Sequence, residues 1–175
     1  MKKDVDHHDK SYKNLLSKKG NFLSLLRRFI KKSWVKKIDE NDITLLEEGF
    51  VDPFFDEAES DMIYKISIAD TEIYFYVLFE LQSTVDYTLP MRLDYYVARI
   101  RRRIFLDATK NKQEKSDFKI PVVIPIVFYN GSEDWIPKKS FAEYQQGYEF
   151  FDCETLTNFN YILVDSNKVS SEKWD

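Results

Sequence analysis

The stretch Glu59–Ser83, ESDMIYKISIADTEIYFYVLFELQS, decides how the rest of the chain is read. Ile63 to Ile68 and Ile73 to Phe79 are rich in Ile, Tyr, Phe and Val, the residues of strands. Asp70-Thr71 stands between them, where a two-residue hairpin loop is expected. With that loop, Ala69 pairs with Glu72, Met62 with Phe79 and Asp61 with Glu80. Side chains alternate between faces, so Met62, Tyr64, Ile66 and Ile68 share a core face with Ile73, Phe75, Val77 and Phe79. The other face carries Asp61, Ile63, Lys65, Ser67, Tyr74, Tyr76, Leu78 and Glu80, and two residues on it reaches Gln82. Directly opposed carboxylates, with Cβ atoms roughly 5 Å apart, cost stability that a bound cation would relieve. Strand ends also carry solvated acids, so the pair alone leaves both a metal site and a bare strand end open.

Outward from the hairpin, the chain reads as helix, strand, hairpin, helix, strand. Asp9 or Ser11 caps a first helix to about Lys32, with Gly20-Asn21 as a break and Tyr12, Leu15, Leu16, Phe22, Leu23, Leu26 and Ile30 as its apolar stripe. Ile43 to Val51 is a strand ended by Asp52-Pro53. Pro90 to Thr109 is a second helix with Pro90 in its first turn. Leu89, Leu93, Val97, Ile100, Ile104 and Ala108 form its buried stripe, and Arg92, Tyr96, Arg99 and Arg103 an adjoining one. Asn111 to Asp117 is a polar loop. Ile120 to Phe128 is a nearly continuous apolar run suited to an internal strand, although Pro125 demands a bulge or an edge. Phe141 to Phe151 reads as a short helix and Tyr161 to Val164 as a last strand. A hairpin followed by a crossover helix into a buried strand predicts an α/β fold with a mixed sheet flanked by helices.

A chain of 175 residues, 43% hydrophobic and 16% aromatic, is one domain with a real core. No apolar run reaches the ~20 residues of a membrane helix, and the charged start is not that of a signal peptide. One cysteine, Cys153, excludes an internal disulfide and a cysteine-rich zinc site, which suits the cytoplasm. His7 and His8 do not make a metal site by themselves. The net charge of −4 hides a sharp division. Residues 1–37 carry 12 Lys/Arg against 3 acids, residues 38–61 carry 10 acids and no base, and residues 88–115 carry 8 bases against 3 acids. Two basic segments thus flank an acidic centre, as a phosphate-binding rim around a metal pocket would, or as plain solvated helix faces.

The order of elements, with an acid at the start of the second strand and E-x-Q at the end of the third, resembles the PD-(D/E)XK nuclease fold. HDKSYKNLL at 8–16, ESDMIYKI at 59–66, IYFYVLFELQS at 73–83, MRLDYY at 91–96 and PVVIPIVFYNG at 121–131 resemble the Rpn family of recombination-promoting nucleases, also called YhgA-like putative transposases. The likeness covers about residues 8–135 and leaves 136–175 as an additional helix and strand. It implies a restriction-endonuclease-like core in α-β-β-β-α-β order, Asp61 and Glu80 as metal ligands, Gln82 in the usual lysine position, and Arg92 on the helix after the active-site strand.

Phosphodiester hydrolysis needs a deprotonated water and a stabilised pentavalent phosphate, which a divalent ion on carboxylates provides. Oxygen ligands favour Mg²⁺, with Mn²⁺ as substitute. The Gln82 amide can orient water and donate to phosphate but lacks the charge of a lysine. Lys65 is about 13 Å along the strand from Asp61, so Lys10 or Lys13 of the first helix is the better source of that charge. Asp9 as cap or ligand, Glu47, and Glu59 stand as further acids, and Arg92, Arg99 and Arg103 as phosphate contacts or a solvated face. The function expected is a metal-dependent DNA endonuclease of little sequence specificity that promotes recombination, with DNA, and a second copy of the chain, as candidate partners. The alternative is a non-catalytic DNA-binding or assembly module, the chain being shorter than common family members. Two acids on one hairpin do not resemble the acidic triad of a true transposase.

Overall fold

The computed structural model describes residues 12–46, 62–68, 71–80, 85–108, 110–138, 140–152 and 155–166. Its centre is a five-stranded mixed sheet in the order β1 (Ile43–Leu45), β2 (Met62–Ile68), β3 (Thr71–Glu80), β4 (Val122–Tyr129) and β5 (Ile162–Asp165). β1, β2 and β3 run antiparallel in succession, and β4 and β5 continue parallel to β3. The connection from β3 to β4 is the crossover helix α3 (Leu89–Asp107), followed by the single turn α4 (Lys110–Gln113).

Both faces of the sheet are apolar and both are covered. On one side Tyr64, Ile66, Phe75, Val77, Ile126 and Phe128 pack against Leu16 of helix α1 (residues 12–17 as described) and Phe22, Leu23, Leu25 and Leu26 of α2 (Lys19–Phe29). Phe22 stacks on Tyr64 with ring centroids 3.7 Å apart, and the Tyr64 hydroxyl donates to the Leu16 carbonyl. On the other side Tyr74, Tyr76, Leu78, Val123 and Val127 lie beneath Leu89, Leu93, Tyr96, Val97 and Ile100 of α3. The alternation read in the hairpin is therefore correct. The contrast between an apolar face and a polar one holds only in part: α3 covers Tyr74, Tyr76 and Leu78 of β3 on the second face, while Lys65 is half-buried and Ser67 exposed.

The register differs from expectation by two residues. Met62 faces Val77 rather than Phe79, and Ile68 pairs with Thr71. Thr71, β-branched, is taken into β3 instead of the loop. The offset also brings Lys65 and Glu72 within ion-pair distance at 3.1 Å, a contact that the expected pairing of Glu72 with Ala69 would not have offered. An offset of two leaves every residue on its assigned face, because side-chain direction repeats with the same period.

Other elements are corrected in detail. The first helical segment breaks at Lys18, which is extended at φ −75° and ψ 119°, two residues before Gly20-Asn21. The Asn21 amide donates to the Leu15 carbonyl at 2.7 Å, satisfying an acceptor that the end of α1 leaves open. The 110–117 stretch is not wholly loop: Gln113 of α4 turns back to donate to the Phe105 and Ala108 carbonyls at the end of α3. The expected helix over 141–151 is two single 3₁₀ turns, Ala142–Tyr144 and Tyr148–Phe150, parted by Gly147 at φ +83°. That left-handed conformation interrupts helix and suits glycine. β4 runs through Pro125 without a bulge, in register with Tyr76. β5 pairs only from Ile126 onward, so at Pro125 β4 has one neighbour and the missing N–H is tolerated as on an edge.

Candidate functional site

The three parallel strands end in one row: Glu80 of β3 pairs with Tyr129 of β4, and Tyr129 with Asp165 of β5. Ligands of open α/β sheets bind beyond the carboxyl ends of their strands, and this row is that end. Asp165 is 7% exposed, the only charged residue buried among the described residues. It lies one position beyond the expected end of the last strand, and its one sequence signal was an acid directly after an apolar run. Tyr129 is fully buried, its hydroxyl donating to the Glu133 carbonyl at 2.8 Å and its ring meeting Trp135 edge-on at 4.7 Å. The Ser166 N–H donates to the Tyr129 carbonyl at 2.9 Å.

The approach to α3 is tied to the same end. The Val85 N–H donates to the Glu133 carboxylate at 3.3 Å. Asp86 accepts from the Thr88 N–H at 2.7 Å and from the Thr88 hydroxyl at 2.6 Å, and pairs with Arg92 at 2.7 Å. Burial alone would raise the Asp86 pKa, but the Thr88 and Arg92 contacts outweigh it and hold the carboxyl below its ordinary range. Arg92 thus sits at the start of α3, anchored to Asp86.

Farther along, Arg99 donates to the Tyr95 hydroxyl at 2.8 Å with its guanidinium 5.2 Å from that ring's centroid, and Arg103 pairs with Asp107 at 2.9 Å. These three arginines share α3, as expected. Lys13 is half-buried on α1, which packs on the opposite face of the sheet, so the structure does not bring it to them. Lys10, Asp61, Gln82, Asp9, Glu47 and Glu59 lie outside the described residues. Among the described residues no group of three or more His, Cys, Asp or Glu could hold a metal ion, and no helix is long and apolar enough to cross a membrane. The expected ligand Asp61 and its neighbour in the site, Gln82, stand outside that set. With Glu80 they make a donor set that is all oxygen and fits Mg²⁺.

The family model described as "Putative transposase, YhgA-like" matches residues 6–174, nearly the whole chain. The chain belongs to this YhgA-like family. A similar protein, the recombination-promoting nuclease RpnD of Escherichia coli O157:H7, is 27% identical over 131 residues, which cover 74% of this chain and 47% of that protein. The chain thus spans about half the length of that relative. No solved structure matches it. The expected membership of the family is confirmed; the PD-(D/E)XK core finds no structural neighbour to confirm it, and the sheet supports the coarser class, an open mixed α/β sheet with helices.

Proposed function

We propose that this YhgA-like protein is a divalent-metal-dependent DNA endonuclease of little sequence specificity acting in recombination, built on a PD-(D/E)XK-like core. The observation that carries the reading is the family match over residues 6–174, together with the nuclease name borne by a relative. The element order, three antiparallel strands and a crossover helix into a parallel strand, supports such a core.

In this reading Asp61 and Glu80 hold Mg²⁺ from adjacent strands. Continued one residue past Met62, the observed register would set Asp61 diagonal to Glu80 instead of directly opposite it, on the same face, about 7–8 Å away and within joint reach of one ion. The ion, when bound, neutralises phosphate charge and acidifies a water. Gln82 orients that water and donates to a phosphate oxygen, and Arg92, Arg99 and Arg103 take the backbone along α3. Lys10 and Lys13 belong to the basic first segment, which would meet DNA from the other face.

Plasmid nicking in Mg²⁺ and in EDTA tests the proposal. Asp61→Asn and Glu80→Gln should each abolish metal-dependent nicking, while Gln82→Ala slows it without preventing metal binding. Thermal denaturation adds a second reading: Mg²⁺ should stabilise the parent and not the two acid variants. Equal stabilisation of all three would place the ion elsewhere. DNA binding without cleavage in any divalent metal would favour the non-catalytic module instead.

A further inference from the structure

Helix α3 buries one apolar stripe and leaves other apolar side chains exposed. Leu89, Leu93, Val97 and Ile100 are buried against the sheet. Met91 and Tyr95, one turn apart on the helix, are 51% and 43% exposed, Tyr95 meeting Tyr96 edge-on at 5.7 Å, and Tyr87, in the turn before the helix, is 61% exposed. The Arg99 guanidinium stacks over the Tyr95 ring at 5.2 Å, and Arg101, Arg102 and Arg103 are exposed on the next turns.

An occupant of this face must accept flat apolar surfaces and cations together. A second copy of the same face would bring its own arginines and add to the positive charge already there. An unpaired nucleic-acid strand offers both complements, base faces for the rings and phosphates for the guanidiniums. Met91 and Tyr95 stand about 6 Å apart along the axis, roughly twice the ~3.4 Å rise per nucleotide of a duplex strand. That spacing suits a stretched, unpaired strand rather than a duplex, whose bases are stacked inside. Because α3 follows β3, Tyr87 is the end of the stripe nearest Glu80 in the chain.

We propose that the exposed Tyr87–Met91–Tyr95 stripe, flanked by Arg99 and Arg102, is a stacking platform for single-stranded DNA. The inference rests on the nuclease reading for the identity of the polymer, but its test needs no cleavage. Fluorescence anisotropy in EDTA would compare a labelled oligothymidylate with a duplex of equal length. The parent should bind the single strand more tightly. Tyr87→Ala and Tyr95→Ala should each weaken single-strand binding roughly five- to 150-fold, the range of one lost base stack, and weaken duplex binding far less. Tyr95→Phe should keep most of the affinity, and Tyr148→Ala, at an exposed tyrosine on the 3₁₀ turn Tyr148–Phe150, should keep all of it.

Equal losses on both substrates, or no loss in either alanine variant, would overturn the platform. So would Tyr95→Ala dissolving a dimer in light scattering while oligonucleotide affinity holds, since the face would then be a contact between copies. Plasmid cleavage by the parent in Mg²⁺ is scored separately. Single-strand binding without cleavage overturns the nuclease reading alone; cleavage with unaffected alanine variants overturns the platform alone.

Discussion

Gly131 shows how closely one residue can be constrained beside the candidate site. A Cβ there would collide with the ring and hydroxyl of Tyr129, which is buried and committed to the Glu133 carbonyl. Gly131→Ala should therefore displace the ring and destabilise the protein by about 1–3 kcal/mol, measured by urea denaturation. Tyr64 poses a related case on the other face. Its hydroxyl donates to the Leu16 carbonyl, and burial pushes its pKa far above the ordinary phenol value. Tyr64→Phe should leave that acceptor short of a donor at a cost of about 1–3 kcal/mol. Tyr74 is pushed up to about 12 by burial and by the neighbouring Glu72 carboxylate. A pKa raised on folding contributes stability that is complete below the unfolded value, near 10, and is lost as pH rises through the folded one. Tyr74→Phe should accordingly flatten the loss of stability between about pH 10 and 12.

At the scale of elements, α3 is fixed at its start by chemistry that composition does not display. Its N-cap, Thr88, makes no side-chain capping bond; Asp86, two residues earlier, gathers the Thr88 N–H, the Thr88 hydroxyl and the Arg92 guanidinium. The folded-state pKa of Asp86 is lowered, so its contribution is present above the unfolded value, near 4, and fades as pH falls through the lower folded one. Asp86→Asn should cost stability at pH 7 and show a smaller further loss on acidification than the parent, followed by circular dichroism. A pH-independent difference between the two proteins would mean that the carboxylate charge is not what holds the helix start. The hairpin register also turns on local pairs. Asp70-Thr71 and Ala69-Asp70 are both acceptable two-residue connections, and the Lys65–Glu72 contact together with Thr71 in the ladder accompanies the second.

For the whole molecule, the division of charge becomes a division in space. The basic α1–α2 segment and the basic α3 cover opposite faces of one sheet. If Arg99 and Arg103 exchange their internal partners for phosphates, reversing both charges should lower the slope of log K against log salt by about 0.9 for each lost duplex contact. An unchanged slope would return them to the roles already seen, on Tyr95 and Asp107.

The alternation of the hairpin, the crossover helix with its buried stripe and the long apolar fourth strand were all legible, because each is written in the local period of the chain. The face assignments survived even a wrong register, since an error of two leaves parity intact. Family membership was legible too, from contiguous motifs in 8–16, 59–83 and 121–131. Tertiary structure decided what depends on contacts distant in sequence. It packed α3 on the second face of the sheet and aligned Glu80, Tyr129 and Asp165, the first and last of them 85 positions apart in the chain, across three strands. It also gave Arg92, Arg99 and Arg103 three different partners on one helix. A sequence specifies which way a side chain alternates; only the packed sheet specifies which distant side chain it meets.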